Sequence, residues 1–107
     1  MPAALPKTET LVLEGEIDLH RSSEIKALLG PLLDRKTPRI LINLSGVTYI
    51  DSSGLATFIE ALQRVLGYGG KLGLFGLQES VRNIFEIARL DQVFQVFPDE
   101  ATAQAEA

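Results

Sequence analysis

The sequence contains no cysteine and a single histidine, His20. Without cysteine there is no disulfide, no thiolate metal site and no cysteine nucleophile. One histidine cannot build a zinc site alone, and it leaves only one imidazole to serve as a catalytic base. Long hydrophobic runs are also missing: none approaches the ~20 residues needed to span a bilayer, so no membrane insertion is expected. The N-terminus, Met-Pro-Ala-Ala-Leu-Pro-Lys, has neither a charged n-region nor a long apolar h-region, and a cytoplasmic location is the expectation. Excess positive charge is absent too. The ten Lys and Arg are scattered in a chain of net charge −4, which argues against a nucleic acid partner. Gly-rich nucleotide motifs are missing, since Gly67-Tyr68-Gly69-Gly70 reads only as a loop.

What is present is one globular domain. At 107 residues the length fits a single core, and 46% hydrophobic with 22% charged residues excludes a disordered chain. Residues 1–7 hold two prolines and read as a loose lead-in. Thr8 to Ile17 reads as a strand, with Gly15 marking a bulge. Ile25, Leu28, Leu29, Leu32 and Leu33 form a helical stripe, which Pro31 kinks or divides and Lys36-Thr37-Pro38 ends. Arg39 to Leu44 is nearly all apolar and suits a central strand covered on both faces. A second stripe follows in Leu55, Phe58, Ile59, Leu62, Val65 and Leu66. Lys71 to Leu77 reads as a strand, and Val81, Ile84, Phe85 and Ala88 as a third stripe. Val93 to Phe97 reads as the last strand, and 99–107 as a short exposed C-terminal helix or tail. The alternation implies an α/β fold with a parallel or mixed sheet and right-handed crossovers.

The most informative run is Val47-Thr48-Tyr49-Ile50-Asp51-Ser52-Ser53-Gly54-Leu55. It places an acid and two hydroxyls where a strand ends and a helix begins. The first N–H groups of a helix lack intrahelical partners, and the helix dipole favours negative charge there. A serine at that place can cap the helix or carry a phosphate. Catalysis fits poorly. A nucleophile elbow needs a glycine two residues before its serine, and Ile50 and Asp51 stand there instead. Asp51 as a receiver-type phosphoacceptor fits poorly as well. Glu14, Glu16 and Asp18 alternate along a strand and form no adjacent acid pair for Mg²⁺, and no lysine follows the last strand. The chain is therefore not expected to be an enzyme or to hold a metal or cofactor.

The residues of this run resemble a known family when read with Gly15-Glu16-Ile17-Asp18, Gly76-Leu77 and Leu90-Asp91-Gln92-Val93-Phe94. The sequence is similar to the STAS domains of the anti-sigma factor antagonist (anti-anti-sigma factor) family of bacterial partner-switching, over nearly its whole length. The resemblance implies a single STAS domain over 1–107, with a mixed β-sheet and helices packed largely on one face. It implies transcription regulation by protein–protein contact. The unphosphorylated form binds an anti-sigma factor serine kinase of the HATPase type and frees sigma factor. Phosphorylation of the second serine, here Ser53 with Ser52 beside it, blocks binding until a phosphoserine phosphatase reverses it. Asp18, Asp51, Ser52, Ser53 and Gly54 then form the partner-binding surface, with Gly54 leaving room beside the acceptor.

The sequence departs from the family in three places. The family's extra first strand has only about ten residues in which to fit before Leu11. Glu79 stands where a proline is frequent, and Arg89 where a glycine is. Plain readings stand beside the sharp one: Ser53 as a simple N-cap, Asp51 or Asp18 closing a turn, His20 as a surface residue. A STAS adaptor without a switch, as a transporter subunit or signalling scaffold, is the alternative function.

Overall fold

The computed structural model describes residues 7–106. The chain runs β1 (Thr8–Ile17), α1 (Leu19–Asp34), β2 (Arg39–Ile50), α2 (Ser52–Gly67), β3 (Lys71–Phe75), α3 (Glu79–Ile87), a 3₁₀ turn (Leu90–Gln92), β4 (Gln95–Phe97) and α4 (Glu100–Ala105). The strands form one sheet in the order β1-β2-β3-β4, and all three pairings are parallel. Each strand therefore needs a crossover to reach the next, and α1, α2 and α3 supply these. The lead-in at 1–7, where the family's extra strand would fall, lies outside the described residues except for Lys7.

The apolar pattern explains the layers. Parallel neighbours share a face, so Leu11 pairs with Ile42, and Ile40 and Ile42 pair with Leu72 and Leu74. That face carries the main core, closed by Ile25, Leu29 and Leu33 of α1, Phe58, Leu62 and Val65 of α2, and Val81 and Phe85 of α3. Leu28 and Leu66 belong to the stripes by spacing, yet both are exposed. Among the described residues the opposite face has a small cluster of Leu41, Phe75 and Ala103, and α4 covers it. Arg39 is buried, and its guanidinium donates to the carbonyls of Ala103 and Gln104 at the end of α4. A cation is well placed there, because the last carbonyls of a helix lack partners and carry its negative pole.

Three elements differ from the sequence expectation. Pro31 does not divide α1; it lies exposed inside a continuous helix that runs on to Asp34. β2 runs on to Ile50, six residues past Leu44, and is paired to β1 as far as that last residue, with two interruptions. Two register shifts explain why the pattern hid it. Between Val12 and Glu14 the partner strand advances from Asn43 to Gly46, and between Gly15 and Glu16 from Val47 to Tyr49. Each shift inserts an extra residue in β2, so the period-2 alternation breaks and Leu44, Val47 and Ile50 are buried at spacing 3. Gly15, with φ +76°, sits at the second shift. Finally, β4 starts only at Gln95. Val93 and Phe94 instead donate their N–H groups to the Leu90 carbonyl, at 3.0 and 2.9 Å.

Candidate functional site

β1 and β2 end side by side, with Ile17 paired to Ile50. One residue later each strand turns into a helix, so Asp18 and Asp51 occupy equivalent places in adjacent strand–helix turns. Both have extended backbones and both cap the helix that follows. Asp18 Oδ1 accepts from the N–H groups of His20 (3.0 Å) and Arg21 (3.2 Å). Asp51 does two things. Its Oδ1 accepts from Gly54 N–H at 3.0 Å, capping α2. Its Oδ2 reaches across and accepts from Leu19 N–H at 3.2 Å, the first amide of α1. The Asp51 N–H in turn donates to Ile17 O at 3.0 Å.

The serines are thereby relieved of capping. Asp51 is the first residue past the strand and takes the cap position, which places Ser52 and Ser53 in the first turn of α2 itself. The reading of Ser53 as an N-cap is corrected accordingly. Ser52 is exposed and Ser53 half-buried. Their hydroxyls have no protein partner among the described residues. The same holds for their backbone N–H groups, whereas Gly54 N–H and Leu55 N–H are bound to Asp51 and the first three amides of α1 are all taken. Among the described residues, the free donors of these two helix starts therefore lie at the serine pair.

Gly54 is buried, and the space beside it is occupied by the fold. A Cβ there would lie 2.8 Å from the Cγ2 atoms of both Ile17 and Ile50 and 3.0 Å from Ile17 O. The room that glycine leaves is used by α2 to approach the end of β1, in place of the expected opening toward a partner. Leu55 is partly buried against the main core. His20 is exposed at the start of α1.

Two residues that the sequence did not single out complete the surroundings. Leu19 is 66% exposed although apolar, next to Asp18 and tied to Asp51. It precedes the apolar stripe of α1, so periodicity does not register it; its only signal was its place directly after Gly-Glu-Ile-Asp. Arg21 folds back over the bulge, its guanidinium donating to the carbonyls of Glu14 and Glu16. On the other side of β2, Ser80 Oγ donates to Thr48 O (3.2 Å) and Gln78 Nε2 to Ser45 O (2.9 Å), which fixes the start of α3. Among the described residues no group of three His, Cys, Asp or Glu side chains is placed to hold a metal ion, and no helix is long and apolar enough to cross a membrane.

The STAS domain model matches residues 5–103. The chain belongs to the STAS domain family. This STAS domain is 30% identical over 82 residues to the anti-sigma-B factor antagonist of Staphylococcus aureus (strain NCTC 8325 / PS 47), covering 77% of this chain and 76% of that one. Among solved structures it is similar to an anti-sigma factor antagonist from Mycobacterium paratuberculosis. The TM-score is 0.84 at 21% identity, over 92% of this chain and 83% of that one. It is similar also to the Bacillus cell fate determinant SpoIIAA in its phosphorylated form. There the TM-score is 0.72 at 19% identity, over 96% and 94% of the two chains. At these identities the two structures establish the fold.

Membership of the family also gives a physical meaning to two of the departures. Glu79 is the first residue of α3, where an acid in the first turn suits the helix dipole as proline suits the backbone. Arg89 adopts φ +59°, the left-handed conformation for which glycine is the natural residue.

Proposed function

We propose that this STAS domain is an anti-sigma factor antagonist whose binding is switched by phosphorylation of Ser53. The observation that carries the reading is the division of labour at α2: Asp51 caps the helix, leaving two accessible serines with unengaged hydroxyls. The name of the Staphylococcus relative supports the role, and the resemblance of the Asp-Ser-Ser-Gly-Leu element supports Ser53 over Ser52 as the acceptor. In this reading the unphosphorylated protein binds an anti-sigma factor kinase of the HATPase type and frees the sigma factor. The docking surface comprises Asp18, Asp51, Ser52 and Ser53, with Gly54 contributing through the close approach it permits.

The electrostatics favour a change of binding over a change of fold. A phosphoserine brings about −1.5 to −2 charges. The positive pole of α2 compensates by ~0.3–1 kcal/mol at an exposed site, and the free amides of Ser52 and Ser53 are donors for the new oxygens. Asp18 and Asp51 oppose the charge, but both are already held by backbone N–H groups. A partner docked over the same surface meets a bulky dianion, and like charges forced together at an interface cost several kcal/mol. A phosphoserine phosphatase would restore binding.

The test is intact mass after incubation with each HATPase-type anti-sigma kinase of the source and ATP. One added phosphate, about 80 Da, is expected on the wild type and absent from Ser53→Ala. No phosphate from any such kinase overturns the switch and leaves the adaptor role.

A further inference from the structure

The Asp51 carboxylate belongs to both helix starts, and this suggests a role beyond capping. We infer that Asp51 is a positioning residue that locks the start of α1 against the start of α2, presenting Asp18 and Leu19 together with the serine pair as one docking surface. The inference deepens the proposed function and rests on it, since the docking partner is the anti-sigma kinase.

The geometry supports this in three ways. First, each oxygen of the carboxylate has its own amide: Oδ1 takes Gly54 N–H of α2 at 3.0 Å, and Oδ2 takes Leu19 N–H of α1 at 3.2 Å. Second, Leu19 N–H is the one first-turn donor of α1 that Asp18 does not reach, since Asp18 Oδ1 is taken by His20 and Arg21. Without Asp51 that amide has no protein acceptor among the described residues, and no other hydrogen bond described there ties the start of α1 to the start of α2. Third, Leu19 is 66% exposed and Tyr49, the penultimate residue of β2, is 47% exposed. Leu19 opens α1 and Tyr49 lies two residues before Asp51, so a shift of α1 relative to α2 changes where Leu19 stands relative to the serines without touching the phosphoacceptor.

The chemistry of the side chain allows capping and bridging to be separated. In Asp51→Asn the amide oxygen keeps the cap on Gly54, because asparagine is as good an N-cap as aspartate. Its NH₂ then faces Leu19 N–H, donor against donor, and the bridge is lost. Asp51→Ser keeps a good cap and is too short to reach α1, so it checks the same point by a different route.

The experiment measures amide hydrogen exchange by NMR and steady-state phosphorylation by the cognate kinase on wild type, Asp51→Asn and Asp51→Ser. In both variants Leu19 N–H should exchange about tenfold faster while Gly54 N–H and the melting temperature stay near wild type. The kinase KM for the protein should rise about tenfold with kcat little changed, because docking is impaired and the transfer to Ser53 is not. Unchanged Leu19 exchange overturns the inference, and so does faster Leu19 exchange with a wild-type KM. Loss of Gly54 protection together with a lowered melting temperature reduces Asp51 to a structural cap and overturns it as well. A wild-type protein that accepts no phosphate removes the proposed function and this role with it; a wild-type protein that is phosphorylated, with variants that match it, removes only this role.

Discussion

Gly54 and Ile17 are in contact so close that no side chain fits between them: a methyl group on Gly54 would stand 2.8 Å from Ile17 Cγ2. The first turn of α2 is thus seated directly on the end of β1, and the serines it carries inherit their position from that contact. Gly54→Ala should destabilise the domain by about 1–3 kcal/mol, the range for forcing a methyl into a packed site. Urea denaturation checks this. A variant as stable as wild type would mean that α2 slides outward at no cost.

Ser53→Asp should weaken binding to the unphosphorylated protein's kinase partner by more than about tenfold, through like-charge exclusion at the interface. The fold should be indifferent, with stability within about 0.5 kcal/mol of wild type, because the hydroxyl it replaces has no partner among the described residues. Calorimetric titration and thermal melts read the two quantities separately. Binding as tight as that of wild type would defeat the charge-exclusion account.

Arg39→Met should loosen α4 while leaving the rest intact. The methionine keeps an apolar stem in the buried slot but removes the donors to Ala103 and Gln104. Hydrogen bonds from a charged group contribute about 1.5–3 kcal/mol, and the loss should appear locally, as faster proteolysis after Pro98.

Arg89→Gly should be at least as stable as wild type. The left-handed conformation at φ +59° costs a residue with a side chain roughly 1–2 kcal/mol, against about 0.5–1 kcal/mol of extra chain entropy for glycine. Arg89→Val should be clearly less stable, since a β-branched residue is a poor fit at positive φ. Chemical denaturation of the pair decides it.

Glu9 gives the domain a small pH dependence. Its hydrogen bond with Arg35 is the main cause that holds the carboxyl below the usual value of 4.5, with help from the charges of Arg35 and Lys7 and from the Thr37 hydroxyl, against some desolvation. A carboxyl with a lowered folded pKa contributes its stability above the unfolded value and loses it as the pH falls through the folded one. Wild type should therefore exceed Glu9→Gln in melting temperature at neutral pH, and the gap should close as the pH drops below 4.5. The pair is at the surface, so the gap is small.

The fold was legible wherever one period governed a whole element. The stripes Ile25-Leu29-Leu33 and Phe58-Leu62-Val65 are buried as their spacing requires, and the strand at Arg39 is central and covered on both faces. Legibility failed where periods break. The two extra residues in β2 gave Leu44, Val47 and Ile50 a spacing of 3, which reads as neither strand nor helix. At Val93 and Phe94 a strand-like composition lost to a 3₁₀ turn closed on the Leu90 carbonyl. At the site, the residue types of the Asp-Ser-Ser-Gly element announced a helix start, but not which residue capped it. That depended on Ile17 pairing with Ile50, a long-range contact that also brings Leu19 to Asp51 and that no local pattern contains.

Since Asp51 carries the cap, position 53 is chemically free, and the chain has no cysteine of its own. A single Ser53→Cys exchange would put one thiol at a half-buried position in the first turn of α2, within the proposed docking surface, for a fluorophore or a spin label. The proposed switch point would thereby become a reporter, reading occupancy of the surface around it in real time in a protein whose fold does not depend on the atom being labelled.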